Sequence, residues 1–200
     1  AKLSHAERSD YLMKAADAIE ATAEPLAELL SREQGKPLNG PNARFEVGGA
    51  VAWTRATASF GLEEETLVDD GETRAVLNYR PIGVVGGIGP WNWPMMIAIW
   101  QIAPALRMGN TIVVKPSEYT TLSVLALVEV MNTALPEGVL NVVADSADRA
   151  LGPKMSVHPG FDKLTFTGST ATGKKIAASA ADSLKRLTLE LGGNDAGIVL

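Results

Sequence analysis

Four short runs in this sequence carry side chains able to do chemistry together. Asn92 stands between Trp91 and Trp93. A neutral amide held by bulky rings suits a developing oxyanion, and the same residue also serves as an ordinary turn Asn. Lys115 and Glu118, in Lys115-Pro116-Ser117-Glu118, offer either a surface i,i+3 ion pair or a cation and a carboxylate for a polar ligand. Gly168-Ser169-Thr170 reads as a helix cap, and a glycine turn entering a helix also presents N–H groups and the positive dipole end to an anion such as a pyrophosphate. Glu190 lies between Leu189 and Leu191, ahead of Gly192 and Gly193. A carboxylate entering apolar surroundings has its pKa pushed toward the range of a general base.

These runs act together only if the fold brings them to one rim. From Pro81 onward, short β-branched runs alternate with helical stretches, which is the pattern of βαβ units and an open parallel sheet. The spacing predicts strands over Ile82–Ile88, Thr111–Lys115, Val139–Val143, Lys163–Phe166 and Arg186–Glu190. Helices are expected over Met95–Met108, Thr121–Leu135, Ala147–Val157 and Thr170–Ser183, and Ala196–Leu200 reads as the start of another strand. Ligands of such sheets lie against the carboxyl ends of the strands, and each of the four runs begins or ends there. Gly87-Ile88-Gly89-Pro90-Trp91-Asn92 places Asn where a dinucleotide fingerprint has its third Gly, so a standard Rossmann glycine loop is not expected. Trp93, Met96, Ile97 and Trp100 fall on one helical face that starts beside Asn92, either as core or as the wall of an apolar passage to the amide.

Ahead of the sheet, Ser4-His5-Ala6-Glu7 has capping-box spacing and opens one amphipathic helix, or two meeting near Pro25. A second helical pattern runs from Asn42 to Ser59. Asp69-Asp70-Gly71 between β-prone runs suggests a hairpin that closes near Tyr79 as an excursion from the main domain. The expected class is therefore α/β: a Rossmann-like open parallel sheet of about five strands with flanking helices, an N-terminal helical region and a hairpin.

Composition narrows the function. With 46% hydrophobic residues in 200 the chain has material for a core, which excludes intrinsic disorder. A net charge of −5 without a basic block argues against nucleic acid. The strongest apolar run, Met95–Trp100, is far short of the roughly 20 residues that cross a bilayer. The first residues, Ala1-Lys2-Leu3, show no signal-peptide core, so a cut start and a cytoplasmic location are the expectation. There is no Cys, and His5 and His158 are the only histidines, which leaves no zinc site, no His triad and no thiol nucleophile.

Pro90-Trp91-Asn92-Trp93-Pro94, Lys115-Pro116-Ser117-Glu118, Leu135-Pro136-Glu137-Gly138-Val139-Leu140-Asn141-Val142-Val143, Phe166-Thr167-Gly168-Ser169-Thr170 and Glu190-Leu191-Gly192-Gly193-Asn194 together closely resemble the aldehyde dehydrogenase family. The resemblance begins near Glu33-Gln34-Gly35-Lys36-Pro37 and covers essentially the whole chain. It implies oxidation of an aldehyde to a carboxylic acid, with NAD as hydride acceptor, through a cysteine thioester. Asn92 would then be the oxyanion donor and Glu190 the base. Lys115 and Glu118 would bind the adenosine ribose and Ser169 the pyrophosphate, with Ile88, Trp91, Gly168 and Leu191 also at the cofactor. Trp93, Met96, Ile97 and Trp100 would line the substrate tunnel. Residues 1–62 and 81–192 would form the dinucleotide-binding domain, 63–80 an oligomerisation hairpin, and 193–200 the start of a truncated catalytic domain. The family nucleophile would lie beyond Leu200, leaving a chain of these residues alone inactive. Gln101 stands where members often carry Lys, and Ala144-Asp145-Ser146 lacks a Gly common there. The complete protein is expected to be a homo-oligomer, a dimer or tetramer, and a CoA-acylating relative and a truncated non-catalytic dinucleotide-binding module are the competing expectations.

Overall fold

The computed structural model describes residues 2–61, 63–146, 150–193 and 196–198. Helix α1 (His5–Ala21) opens on the expected capping box: Ser4 Oγ accepts from Glu7 N at 3.2 Å and Glu7 Oε2 accepts from Ser4 N at 2.7 Å. The stretch forms two helices, and the break before α2 (Ala23–Gln34) falls at Thr22, near Pro25 as the second expectation has it. Pro25 sits in the first turn of α2, where its missing N–H has no partner to lose. Asn42 and Ser59 then flank α3 (Ala43–Ala58). A two-stranded antiparallel ribbon follows, β1 (Glu65–Asp69) and β2 (Arg74–Leu77), turned by Asp70, whose carboxylate accepts from Glu72 N and Thr73 N. These backbone donors hold the Asp70 pKa below the usual aspartate value.

The remaining elements alternate: β3 (Val84–Ile88), α4 (Pro94–Arg107), β4 (Thr111–Lys115), α5 (Thr121–Asn132), β5 (Leu140–Val142), α6 (Leu151–Val157), β6 (Lys163–Thr167), α7 (Thr170–Ala181) and β7 (Arg186–Glu190). All five sheet strands are parallel, in the order β5-β4-β3-β6-β7. The first sheet strand is two residues shorter than expected because Ile82 N and Gly83 N donate to the Asn110 side chain instead of to a ladder. The start of the helix expected from Ala147 lies outside the described residues. No strand forms over 196–198, and the rest of the expected Ala196–Leu200 strand also lies outside them.

Side chains three apart on a strand point to opposite faces, and β3 shows the consequence. Val85 joins a large core with α1–α5, Ile112, Val114 and Leu140, while Ile88 joins a smaller one with Met155, Leu164, Phe166 and Ile176. The sheet is thus covered on both faces, as an all-parallel sheet requires. Among the described residues no helix is long and apolar enough to cross a membrane.

Candidate functional site

The chain builds β4 and β5 to one side of β3 and then returns to lay β6 and β7 on the other. Connections leaving β3 and β6 therefore diverge, and a crevice opens between them at the carboxyl end of the sheet. A cleft of about 710 Å³ occupies this place, bordered by Ile88 to Trp91 after β3 and by Thr167 to Ser169 after β6. Lys115, Ser117 and Glu118 close it on the β4 side, and Lys175 and Ser179 of α7 reach it from the far side. Of the expected cofactor residues, Ile88, Trp91, Lys115, Glu118, Gly168 and Ser169 all line this cleft.

Ser169 takes the expected place of a helix cap. Its Oγ caps α7 by accepting from Thr172 N at 3.2 Å, and the helix start that it caps opens onto the cleft. Lys115 does not pair with Glu118. Its Nζ lies 3.5 Å from Asp145 Oδ2 and donates to the Pro116 carbonyl at 2.9 Å, while Glu118 is exposed at the rim. Asp145, noted in sequence only for the missing Gly of its loop, also lines the cleft. It follows β5, and the strand-end rule that selected the other turns selects this one too. Burial opposes the Asp145 carboxylate, but the donated N–H groups of Leu151 and Ser146, with Lys115 beside them, outweigh it and hold its pKa below the usual value.

Leu191 stays outside the cleft and packs on α7, where a Cβ added to Gly173 would come within 2.4 Å of its Cδ2. Glu190 also lies outside, exposed at the end of β7. The flanking leucines suggested apolar surroundings, but β7 is an edge strand and nothing among the described residues covers its end. Its backbone is nonetheless fixed: Gly168 N donates to the Glu190 carbonyl at 3.0 Å, tying the Glu190 end to the Ser169 turn.

Asn92 lies on the loop between β3 and α4. Its carbonyl accepts from Gln34 Nε2 at 2.8 Å and from Lys36 Nζ at 3.0 Å, and its amide engages no other group among the described residues. Beyond it, Trp93, Met96 and Trp100 turn toward α3, while Ile97 is buried. The Trp93 ring meets Phe45 edge-on at 5.9 Å and Trp100 lies 5.5 Å from Trp53. Met96 Cε fills the space over Gly49, so that a Cβ added there would make the Met96 side chain shift. The expected stripe is thus half of an apolar seam whose other half, Phe45 and Trp53, sequence periodicity could not assign to it. Gln101 ties α4 to β3 by donating to the Ile88 carbonyl at 3.1 Å, which makes it a structural residue beside the cleft. Among the described residues no cluster of three His, Cys, Asp or Glu is arranged to hold a metal ion.

The aldehyde dehydrogenase family model matches residues 1–200. An aldehyde dehydrogenase from a Fusarium species is 43% identical over 197 residues, covering 98% of this chain and 41% of that protein. Betaine aldehyde dehydrogenase from Vibrio vulnificus is 41% identical over 202 residues, covering 98% of this chain and 40% of that protein. Among solved structures, PnpE from Pseudomonas sp. WBC-3 in complex with nicotinamide adenine dinucleotide superposes with a TM-score of 0.89 at 41% identity, over 96% of this chain and 40% of that one. The chain therefore spans about two-fifths of the length of the relatives that it matches.

Proposed function

The chain belongs to the aldehyde dehydrogenase family, and from that premise we propose that it supplies the cofactor-binding part of an enzyme that oxidises an aldehyde to a carboxylic acid. The observation that carries this reading is the cleft at the strand-order reversal, with a helix N-terminus, a cation and a carboxylate on its rim. Those groups fit a nicotinamide dinucleotide. The start of α7 at Gly168 and Ser169 suits the pyrophosphate, Lys115 and Glu118 suit ribose hydroxyls, and Ile88 and Trp91 offer apolar surface to a ring. NAD, when bound, supplies the hydride acceptor. Residues 1–62 and 81–192 form this dinucleotide-binding unit on our reading, and residues 193–200 begin the catalytic part.

Asn92 directs its amide at the oxygen that gains charge when a thiolate adds to the aldehyde, and so lowers the barrier to the tetrahedral adduct. The chain contains no Cys, so the thiolate comes from elsewhere in the enzyme. Glu190 takes the proton from the water that hydrolyses the resulting thioester. The apolar seam of Trp93, Met96, Ile97 and Trp100 suits an uncharged, largely apolar aldehyde, because Lys36, the cation 4.8 Å from the Trp93 ring centroid, is already paired with the buried Glu46 carboxylate. The hairpin over 63–80 exposes Leu67, Val68, Val76 and Leu77, which suits it to join a second copy of the chain in a homo-oligomer. Steady-state NADH formation by the full-length enzyme with neutral and acidic aldehydes tests the whole reading. Turnover of neutral aldehydes with release of free carboxylic acid supports it. Activity confined to acidic semialdehydes refutes the substrate class, and an absolute requirement for CoA refutes the hydrolytic step.

A further inference from the structure

Glu33-Gln34-Gly35-Lys36 is a recognisable run to which no chemistry has been given. Helix α2 ends at Gln34, and Gly35 takes a left-handed conformation, φ 81°, that swings Lys36 toward the Asn92 loop. Each polar side chain of the run then grips backbone, Glu33 at the start of α5 and both Gln34 and Lys36 on the Asn92 loop. The Glu33 carboxylate accepts from Leu122 N at 2.6 Å and Ser123 N at 2.9 Å, at the start of α5. Gln34 Nε2 donates to the Trp91 carbonyl at 2.6 Å and to the Asn92 carbonyl at 2.8 Å. Lys36 Nζ donates to the same Asn92 carbonyl at 3.0 Å and to Glu46 Oε2 at 2.5 Å, and stands 4.8 Å from the Trp93 ring centroid.

Glu46 completes the arrangement from α3. It is fully buried, and its second oxygen accepts from Met95 N at 2.8 Å and Met96 N at 3.2 Å. Those are orphan donors of the first turn of α4, which Trp93 leaves uncapped and which Pro94 begins without an N–H. A Ser or Asp at position 93 would cap this helix locally, without burying a charge. A buried ion pair seldom adds net stability over an apolar replacement, so its presence calls for another reason. Here the same ammonium touches both the buried carboxylate and the Asn92 carbonyl. The backbone is held before Asn92, at it and after it, while the Asn92 side-chain amide has no partner among the described residues.

We propose that Gln34, Lys36 and Glu46 are positioning residues that fix the direction of the Asn92 amide, acting on the reaction only through Asn92. This rests on the reading of Asn92 as the oxyanion donor. A misplacement of about 1 Å at a reacting group costs roughly a hundredfold in rate, so loosening this clip lowers kcat while leaving cofactor binding alone.

The test uses the full-length enzyme in two backgrounds, native and Asn92→Ala. In each, Lys36→Met/Glu46→Gln removes both charges of the buried pair together, and Gln34→Ala removes two donors without leaving a buried charge behind. Gln34→Ala therefore decides the matter if the paired variant does not fold. The expected result is a kcat loss of about tenfold or more in the native background, with the NADH dissociation constant, read by fluorescence, changed less than about twofold. In the Asn92→Ala background the same changes cost less than about twofold, since the group through which they act is gone. Equal losses in both backgrounds overturn the inference, as does an unchanged kcat in the native background while Asn92→Ala is slow. If Asn92→Ala itself turns over normally, the oxyanion reading fails and this inference fails with it.

Discussion

Asn92 and Glu190 are the two residues expected to do chemistry, and the chain treats them in opposite ways. Asn92 follows the central strand β3 on a loop gripped by Gln34, Lys36 and Glu46. Glu190 ends the edge strand β7, with its backbone fixed in the ladder and its side chain exposed. The contrast divides the labour. On the proposed roles, geometry on the oxyanion side is set within these residues, whereas the Glu190 carboxylate is left uncovered by the described residues.

The largest effect expected from this contrast is at Glu190. Glu190→Gln in the full-length enzyme should slow thioester hydrolysis by about 10²–10⁴, the usual contribution of a positioned base, with little change in cofactor binding. A pre-steady-state burst of NADH followed by slow turnover would locate the loss after hydride transfer. Unchanged steady-state turnover would remove Glu190 from the mechanism and leave the edge of β7 without a chemical role. Asn92→Ala is next, with turnover lowered by roughly 10²–10³ and no burst, because the loss precedes hydride transfer. The two variants thus separate on the presence of the burst as well as on the size of the effect.

A smaller effect is expected at the cleft rim. Glu118 is exposed there, and its carboxylate favours ribose hydroxyls while repelling a 2′-phosphate. NAD should be preferred, and Glu118→Gln should shift the NAD to NADP ratio of kcat/KM toward NADP by about fivefold, roughly 1 kcal/mol of charge interaction in water. Lys115 does not blur this expectation, because its ammonium is turned to Asp145 rather than to Glu118. An unchanged ratio would take Glu118 out of cofactor discrimination.

What could be read from sequence follows the range of the interactions involved. Strand periods and helix caps are local, so β7 was placed residue for residue and the Ser4–Glu7 box was recognised outright. The cleft was legible for the same reason, since strand ends locate it without any knowledge of packing. The two-helix alternative, with a junction near Pro25, is legible because proline marks a helix start or break, and the first turn that holds Pro25 begins just after Thr22. Burial of Glu190 was inferred from Leu189 and Leu191, although burial at a strand end is set by the strand's place in the sheet. The grip of Gln34 and Lys36 on Asn92 spans more than fifty positions and could not be seen before α2, α3 and α4 were packed together.

The smallest effect sharpens the comparison from a third strand. Asp145, after β5, resembles Asn92 in being held by its own chain and Glu190 in being a carboxylate. Its side chain is 13% exposed, accepts from Leu151 N at 3.0 Å and faces Lys115. Its pKa in the folded protein lies below the ordinary 3.8, so the carboxylate stabilises the fold fully above that ordinary value. That contribution is lost as the pH falls through the depressed folded value, because the folded state must then bind the proton that the unfolded chain already holds. Asp145→Asn keeps an oxygen to accept from Leu151 and removes only the charge, a loss of about 1 kcal/mol, or about 2–4 °C in Tm for a domain of this size. Melting curves of the two proteins from neutral pH down to about pH 3 should show a constant gap above about pH 5 that closes in acid. A gap that persists unchanged at the acid end would mean that Asp145 contributes through packing, and that its pairing with Lys115 does not hold the β4 rim of the cleft in place.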